Sequence, residues 1–388
     1  MSDLAALWML EPGLRFLNHG SFGACPRAVL EVQAQLRAEL EAQPMRFFRS
    51  IEERLDGVRA ELGPVIGADP AGLALVTNAT EGVNAVLRSL ALDPGDEIVV
   101  TDHGYAACVN AARFVAERAG AHVVTAHVPF PIQAPEQATR AVVDAVTART
   151  RLVLIDHVTS PTALVLPVAD IAAELADRGV DLLIDGAHAP GMLPLSIESI
   201  GASYYVGNLH KWLCAPKSAG FLWTRDDRRD AVCPTVISHG YVPYRDDRSH
   251  YHVQFDWTGT RDPTAALSVP AALRVLGGLF PDGLTGLMAR NHDLVVAARR
   301  HVAGALGLEL PAPESMLGSM ASLTLPPQPF DGPVDRDELA LLEQGIQTVI
   351  MPWPASPDRL LRLSAQAYND MADFEALAAA LAPRLGAR

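Results

Sequence analysis

Lysine is the charged residue that this sequence uses least. Of its 31 basic residues only two, Lys211 and Lys217, are lysine, and both lie in the segment GNLHKWLCAPKSAG. Imine formation with a carbonyl requires an amine, which a guanidinium cannot supply, so a chain that otherwise prefers arginine keeps lysine for such a task. Chance survival on a turn is the alternative, and it suits Lys217 better. The scarcity therefore points to Lys211 as a residue with a chemical role.

Other features are missing too, and each absence excludes a class of protein. No block of clustered Lys and Arg accompanies the formal charge of −14, so neither nucleic acid nor an anionic membrane is an expected partner. No apolar stretch approaches the roughly 18 residues that cross a bilayer, and the start MSDLAALWML lacks a basic signal region, which predicts a cytoplasmic protein. The cysteines, Cys25, Cys108, Cys214 and Cys233, form no CxxC pair, which argues against a zinc ribbon or a disulfide framework.

The pattern of apolar residues predicts a doubly wound α/β domain. A chain of 388 residues with 49% hydrophobic content can fill the cores of one large domain and a smaller one. From about residue 72, short β-branched runs alternate with longer amphipathic stretches, which is typical of βαβ units and a mostly parallel sheet. The predicted strands lie near 73–77, 97–101, 121–125, 151–156, 181–185, 203–206 and 220–224, and predicted helices lie at 80–91, 105–119, 135–148 and 168–178.

The regions on either side of this alternation have a different pattern. The chain begins with a loop, LNHGSFGACP, and an amphipathic helix with Pro26 at its start. After residue 264 a long helical stretch precedes strands near 319–325, 346–350 and 360–364, a helix near 336–344 and a final helix from 370. We therefore expect an N-terminal segment 1–45, a large domain 46–263 and a smaller α+β domain 264–388.

Polar residues directly after the strands are the candidates for a site, because ligands in open α/β sheets bind at the carboxyl ends of the strands. After the first strand, TNATEG leads into a helix whose N-terminus can bind a phosphate, with Thr80 either as a ligand or simply as the N-cap. After the second strand, His103 and Tyr105 offer flat side chains, one of which could stack on an aromatic ring.

Asp185 and Lys211 together give the most specific signal. Asp185 ends one strand, and about 26 residues later Lys211 follows the next, between His210 and Trp212. This arrangement suits a pyridine ring clamped between its nitrogen and its aldehyde. An ionised Asp185 keeps the ring nitrogen protonated, so the ring accepts electrons when a substrate Cα–H bond breaks. Lys211 first holds the aldehyde as a Schiff base and is then released as an amine that moves the proton. The sequence therefore predicts a pyridoxal 5'-phosphate (PLP) enzyme.

Eight segments in chain order resemble the class V aminotransferase branch of fold-type I PLP-dependent enzymes, and within it the isopenicillin N epimerase-like group, which includes C–S lyase-like members. They are LNHGSFGACPRAVLE, TNATEGVN, TDHGYAA, DHVTSPTALVLPV, LLIDGAHAPGMLPL, GNLHKWLCAPKSAGFL, WTGTRDPTA and RLSAQAYND. The resemblance runs from about Leu17 to the final helix. It implies the fold-type I PLP-dependent transferase fold and a homodimer whose active sites share residues.

The resemblance also implies roles for individual residues. Toward the cofactor, it implies Lys211 as the Schiff-base lysine, Asp185 at the pyridine nitrogen, His188 near the ring hydroxyl, His103 stacked on the ring, Ala79, Thr80 and His210 at the phosphate, and Thr260 reaching the phosphate of the neighbouring subunit. Toward the substrate, it implies Arg362 at the α-carboxylate and Asn18, His19, Phe22 and Tyr105 at the mouth. A guanidinium suits the carboxylate because two parallel N–H donors fix its plane.

Several outcomes of Cα chemistry remain open at this point. We favour β-elimination, a C–S lyase reaction on a cysteine S-conjugate or sulfoxide, because Lys211 alone can carry its proton transfers. Epimerisation of the isopenicillin N epimerase type needs a second proton donor across the substrate, for which His19 or Tyr105 is a candidate. Transamination and a decarboxylating deamination are further alternatives. Desulfuration through a persulfide is disfavoured because no cysteine follows Cys233.

A different class of enzyme could use part of the same residue set. Asp156, His157, Asp185 and His188 follow two strands, and carboxylate with imidazole can bind a divalent ion in a metal-dependent hydrolase. The preferred PLP reading needs no metal. A non-catalytic binding module is a further alternative, but it leaves the placement of the lysine unexplained. Both alternatives predict a colourless protein.

The first prediction concerns the lysine itself. The purified protein should show a visible absorbance band that borohydride bleaches by reducing the imine, and Lys211→Ala should lose covalent attachment of the cofactor. Lys217→Ala is the matched control, since it removes the other lysine of the chain. Loss of attachment in Lys217→Ala instead would show that the wrong lysine has been assigned.

Overall fold

The computed structural model describes residues 3–386. Its N-terminal part crosses the molecule before the main sheet begins. Strand β1 (Arg15–Phe16) is followed by helices α1 (His19–Phe22), α2 (Arg27–Ala42), α3 (Pro44–Arg49) and α4 (Ile51–Ile66). Pro26 stands at the N-cap of α2, as the sequence predicts, and α4 ends where Gly67 adopts a left-handed φ of 61°.

A seven-stranded sheet forms the centre of the molecule. Its strands are β2 (Leu73–Val76), β3 (Glu97–Thr101), β4 (His122–Ala126), β5 (Thr150–Asp156), β6 (Asp181–Gly186), β7 (Tyr204–Asn208) and β8 (Gly220–Thr224). They lie in the order β2-β8-β7-β6-β5-β3-β4, parallel except for β8, which runs antiparallel to both neighbours. All seven predicted strands are present, and the mostly parallel sheet is confirmed.

Helices cover both faces of this sheet, which explains why its strands are nearly continuous apolar runs. The crossover helices are α5 (Ala79–Ser89), α6 (Ala106–Ala119), α7 (Pro135–Asp144), α8 (Val168–Ala176) and the short α9 (Ile197–Ile200). Alternate strand residues enter different cores: Val153 and Ile184 pack on one face, and Leu152 and Leu183 on the other.

The C-terminal third adds more helices and a second sheet. Its helices are α10 (His250–Asp256), α11 (Thr264–Leu267), α12 (Val269–Gly277), α13 (Gly283–Leu306), α14 (Arg336–Leu342) and α15 (Met371–Leu385), and its strands are β9 (Met320–Leu325), β10 (Ile346–Gln347), β11 (Val349–Pro352) and β12 (Arg359–Ser364). Strands β11, β12 and β9 form an antiparallel sheet, while β10 pairs with β1. Short 3₁₀ turns lie at Asp3–Leu7, Pro70–Gly72, Asp226–Ala231, His239–Tyr241 and Glu314–Met316.

The boundary between the two cores lies later than the sequence predicts. Val269 and Leu276 of α12, and Leu287 early in α13, belong to the core beneath the large sheet. Val295 and Val302, farther along α13, belong to the core of the antiparallel sheet. The change of core thus falls inside helix α13 rather than at residue 264, and the helical pattern could not reveal this because one continuous helix serves both cores.

Candidate active site

A cavity of about 450 Å³ opens at the carboxyl ends of the central strands. It brings together eight of the residues that the sequence marked for a site: Phe22, Ala79, Thr80, Tyr105, Asp185, His188, His210 and Lys211. Asp185 is the last residue but one of β6, and Lys211 follows β7, which pairs with β6 in parallel. Neighbouring parallel strands therefore deliver the carboxylate and the amine to one place.

A hydrogen-bond chain from Trp212 through His188 reaches the amine of Lys211. The indole Nε1–H of Trp212 donates to Nδ1 of His188 at 3.3 Å. Since an indole N–H can only donate, Nδ1 carries no proton. Burial lowers the pKa of His188 well below its usual value, so the ring is neutral and its proton is on Nε2. Nε2 lies 3.2 Å from Nζ of Lys211, and the geometry fits donation to the lone pair of an uncharged amine.

The lowered pKa of Lys211 agrees with a hydrogen bond in which His188 donates to its amine. Burial, followed by the positive charge of Arg362, lowers the pKa of Lys211 from 10.5 to about 8, against the opposing pull of Asp185 and Asp156. A minor share of the amine, roughly a tenth at pH 7, is therefore uncharged, and this share grows as pH rises toward 8. The uncharged amine is the form that attacks a carbonyl.

Asp185 is a buried residue of the cavity lining. One oxygen, Oδ1, accepts from the amide N–H of Ala187 at 2.9 Å, and the other, Oδ2, accepts from the thiol of Cys108 at 3.1 Å. Burial raises the pKa of Asp185. A cationic ring N–H beside this carboxylate would compensate that cost of burial, which is the chemistry expected of a residue that pairs with a pyridine nitrogen.

The N-terminus of α5 forms another wall of the cavity. The side chain of Asn78, and not Thr80, caps the helix by accepting from the amide of Glu81 at 2.9 Å. Thr80 thus lines the cavity with a hydroxyl that the cap does not use. The amide of Ala79 differs from the prediction, because it donates to Oδ1 of Asn208 at 2.8 Å.

His210 also lines the cavity. Its Nδ1–H donates to the carbonyl of Ala219 at 3.0 Å, so Nε2 is the ring nitrogen left for a ligand. Burial lowers the pKa of His210 to about 4, which keeps the ring neutral in the absence of an anion.

Arg362 lies behind the cavity wall and touches residues that line it. Nη1 donates to the carbonyl of Ser160 at 2.7 Å, and Nη2 donates to Oγ of Ser21 at 2.9 Å and to Oδ1 of Asn18 at 3.1 Å. The side chain is 2% exposed, and within residues 3–386 its Nε has no hydrogen-bond partner. Burial lowers the pKa of Arg362 to about 10. Asn18 therefore orients the arginine, and a buried guanidinium without a carboxylate partner is suited to bind one.

His19 does not line the cavity mouth as the sequence predicted. It is fully buried, with Nε2–H donating to the carbonyl of Lys211 at 2.9 Å and Nδ1 accepting from the hydroxyl of Tyr368 at 2.7 Å. A carbonyl can only accept, so the tautomer is fixed, and burial lowers the pKa of His19 to about 3. Its position makes it a support for the backbone of Lys211 rather than a group that could protonate a substrate.

His103 also lies elsewhere than predicted. The ring is fully buried, and its nitrogens contact the hydroxyl of Thr162 at 2.7 Å and the carbonyl of Val128 at 2.9 Å. It packs edge-on against Phe130 and Trp353. Stacking of His103 on a ligand in the cavity is therefore not supported. Tyr105, two residues later, is the aromatic residue that lines the cavity, and it is 45% exposed.

Thr260 and Lys217 both lie outside the cavity. Thr260 is exposed in the loop between α10 and α11. Lys217 is also exposed, and its amine donates to the carbonyl of Gly23 at 3.0 Å. The second lysine thus holds the C-terminal end of α1, next to Phe22, which gives it a structural role.

The residue set of the metal-dependent hydrolase does not converge. Nδ1 of His157 bonds to the hydroxyl of Tyr205 at 2.8 Å, behind the sheet edge that Asp156 and Asp185 present to the cavity. In the part of the chain that the structure describes, no group of three His, Cys, Asp or Glu side chains is arranged to hold a metal ion. Nor is any helix of residues 3–386 both long and apolar enough to cross a membrane.

Several residues of the site were not predicted from the sequence, Ser21 and the following four among them. Asn208 ends β7 and bonds Ala79, Ser160 holds Arg362, Cys108 bonds Asp185, and Trp212 sets the tautomer of His188. Position alone could have found Asn208 and Ser160, since each is polar and follows a strand. No pattern in the sequence distinguishes Cys108, because its helical position is also that of an ordinary core residue.

Comparison with known proteins gives concordant results. The family model for Aminotransferase class-V matches residues 23–377. Isopenicillin N epimerase of Streptomyces clavuligerus is 35% identical over 96% of this chain and 95% of that protein. Putative L-cysteine desulfhydrase 1 of Oryza sativa subsp. japonica is 34% identical over 81% of this chain and 68% of that protein. The solved complex of the cystine C–S lyase C-DES with its product cysteine persulfide superposes with a TM-score of 0.80, at 22% identity, over 96% of this chain and 98% of that one.

These findings confirm the resemblance drawn from the eight sequence segments. The structural match also confirms the fold-type I architecture, with its large mostly parallel sheet and additional antiparallel sheet.

The surroundings of Lys211 predict how its reactivity depends on pH. With a pKa of about 8, the rate at which the cofactor-free protein attaches PLP should rise with pH through about 8 and then level off. Arg362→Leu removes a positive neighbour and so favours the ammonium form, which should move the midpoint to higher pH by on the order of one unit. Stopped-flow absorbance measures the rate. Arg300→Leu, an exposed site paired with Glu314, is the control and should leave the midpoint in place. A midpoint that stays or falls in Arg362→Leu would contradict this electrostatic coupling.

Proposed function

Since the chain belongs to the class V aminotransferase family, we propose that it is a PLP-dependent enzyme that breaks the C–S bond of a cysteine S-conjugate or sulfoxide by β-elimination. The observation that carries this proposal is the amine of Lys211, which lies 3.2 Å from Nε2 of His188 in a cavity that Asp185 also lines. An amine for the aldehyde and a carboxylate for the ring nitrogen are what PLP requires of a protein.

The remaining lining residues also fit PLP. Thr80 at the N-terminus of α5 and the free Nε2 of His210 suit the phosphate. The Nε2–H of His188 points toward the amine and suits the ring hydroxyl beside it. When bound, PLP withdraws electrons from the substrate Cα and so makes its hydrogen acidic. Asp185 would face the ring nitrogen, and Tyr105 would take the stacking position first predicted for His103.

The residues of this chain supply binding and proton transfer. Arg362 binds the α-carboxylate of the substrate, and Asn18, Ser21 and Ser160 hold the guanidinium in one plane. Lys211 takes the proton from Cα, because its amine lines the cavity and is partly uncharged near neutral pH. The backbone carbonyl of Lys211 accepts a hydrogen bond from His19, and this bond holds the backbone of Lys211 in place.

Two observations favour elimination over the other outcomes. The mouth presents Phe22, 74% exposed, and Tyr105, which together suit a sulfur or apolar substituent better than a charged one. Elimination needs no second acid, and His19 is buried away from the cavity. The names of the rice desulfhydrase and of the cystine C–S lyase agree with this choice.

Epimerisation is the second candidate, and a specific observation supports it. Tyr105 lines the cavity with its ring half exposed, so its hydroxyl is the remaining candidate for a second proton donor after His19 is set aside. The similarity to isopenicillin N epimerase favours the same reaction. Which outcome holds depends on whether the β-substituent leaves before Cα is protonated again.

A homodimer with shared active sites belongs to the same proposal. Thr260 is exposed in the loop of the WTGTRDP segment, where it could reach a neighbouring subunit. Exposed apolar residues nearby in sequence, Val236, Ile237, Tyr241, Val242 and Tyr244, are of the kind that subunit contacts cover. The cytoplasmic location stays a prediction from the sequence.

Incubation with cysteine S-conjugates and their sulfoxides in deuterated water tests the proposed reaction. We expect pyruvate and a released sulfur product, and a fall in turnover of roughly 10²–10⁴-fold or more in Lys211→Ala, because the general base is gone. Lys217→Ala should keep most of the activity. Deuterium at Cα with inversion and no pyruvate would contradict elimination and establish epimerisation.

A further inference from the structure

A second buried carboxylate, that of Asp156, lines the cavity together with Asp185. Asp156 ends β5, Asp185 is the last residue but one of β6, and the two residues are paired in register across the parallel strands. Both side chains line the cavity, at 4% and 3% exposure. No ion pair to an arginine or lysine within 4.0 Å neutralises either of them in the described residues.

The two carboxylates differ in the donors that they receive. Asp185 accepts from the Ala187 amide at 2.9 Å and the Cys108 thiol at 3.1 Å, one for each oxygen. Asp156 accepts from the Tyr105 amide at 3.4 Å, a longer contact, and from the amide of Ser160. Hydrogen bonds to an anion are worth more than those to a neutral acid, and the shorter contacts are those to Asp185, so we expect Asp185 to retain the charge.

The titratable groups around Asp156 come from three elements. Asp185 faces it from β6, Tyr105 and Cys108 face it from the start of α6, and Lys211 faces it from beyond β7. His157, next along the chain, is turned to Tyr205 and is neutral. Lys211 is thus the one cation in this set, and it is partly uncharged near neutral pH.

Two buried carboxylates at neighbouring strand ends cannot both ionise without a large cost, so the pair holds one proton. We propose that Asp156 carries this proton and leaves Asp185 as the single anion available to the ring nitrogen. The inference rests on the proposed role of Asp185. Asp156 then acts as a positioning residue for charge: its neutral form prevents it from competing with Asp185 for the cationic ring.

The burial of Asp156 also favours its protonated form. It raises the pKa of Asp156 well above its usual value, and the charge of Asp185 raises it further. A carboxyl whose pKa is raised on folding stabilises the protein below its unfolded pKa, and that stability is lost as pH rises toward the folded value. The cofactor-free protein should therefore lose stability between acidic and neutral pH partly because of Asp156.

Asp156→Asn and Asp185→Asn together test the proposal. Asparagine is the neutral isostere of a protonated aspartate, so Asp156→Asn should keep PLP with a dissociation constant within about threefold and keep its absorbance band. It should also flatten the pH dependence of Tm in the cofactor-free full-length protein. Asp185→Asn should weaken PLP by about tenfold or more, as expected for loss of a charge-assisted hydrogen bond.

The outcomes separate the two claims. If Asp156→Asn weakens PLP as much as Asp185→Asn does, or leaves the Tm profile as steep as before, Asp156 does not hold the proton. If Asp185→Asn leaves the affinity and the spectrum unchanged, the role of Asp185 fails, whatever Asp156 does. Cys108→Ser, which keeps a donor to Asp185, should retain the pH profile of the bound-PLP spectrum, and Cys108→Ala should shift it. An unshifted profile in Cys108→Ala would overturn the choice of Asp185 as the anion.

Discussion

The hydrogen bond from the Trp212 indole to His188 is the interaction on which the site depends. It leaves Nδ1 of His188 without a proton, so the neutral ring turns an N–H toward Lys211. Were the tautomer reversed, Nε2 would accept, and it would favour the ammonium form of the lysine. A neutral donor instead favours the free amine, which is the form that the chemistry needs. Trp212, next to Lys211 in sequence, thus influences the charge of Lys211 through His188, which follows strand β6.

The rest of the structure holds this arrangement in place at some cost. His19 fixes the carbonyl of Lys211 and is itself held by Tyr368. Three residues other than glycine adopt positive φ within residues 3–386, namely Ala163, Cys214 and Ser218, at 57°, 53° and 72°. All three lie in loops that follow the strands around the cavity, and such conformations cost about 1–3 kcal/mol each. The strain is concentrated where the loops shape the site, as expected when the surrounding fold over-determines them.

Much of the fold was predictable because its signals are local. The seven strands of the large sheet are nearly continuous apolar runs, and the strand predicted to end at Asp185 ends one residue later, at Gly186. Ligands of open α/β sheets bind at the carboxyl ends of the strands, and this tendency pointed to Asp185, Lys211 and Thr80 without knowledge of tertiary contacts. The scarcity of lysine added a chemical argument that is independent of the family likeness.

The directions of individual side chains were not predictable in this way. His19 turns inward because Tyr368, 349 residues away, offers a hydroxyl. His103 turns away from the cavity because Val128 and Thr162 satisfy both of its nitrogens. The boundary between the cores was missed for a related reason, since α13 serves both of them. Each of these features depends on a partner that is distant in the chain.

The tautomer of His188 is the most direct test of this account. The protein can be labelled with ¹⁵N-histidine, and His188→Gln assigns the signals by their loss. We predict that, above the pH of about 8 at which Lys211 loses its proton, Nδ1 has the chemical shift of an unprotonated nitrogen and Nε2 that of a protonated one. A protonated Nδ1, or an imidazolium, would contradict the claim that His188 donates to an uncharged Lys211.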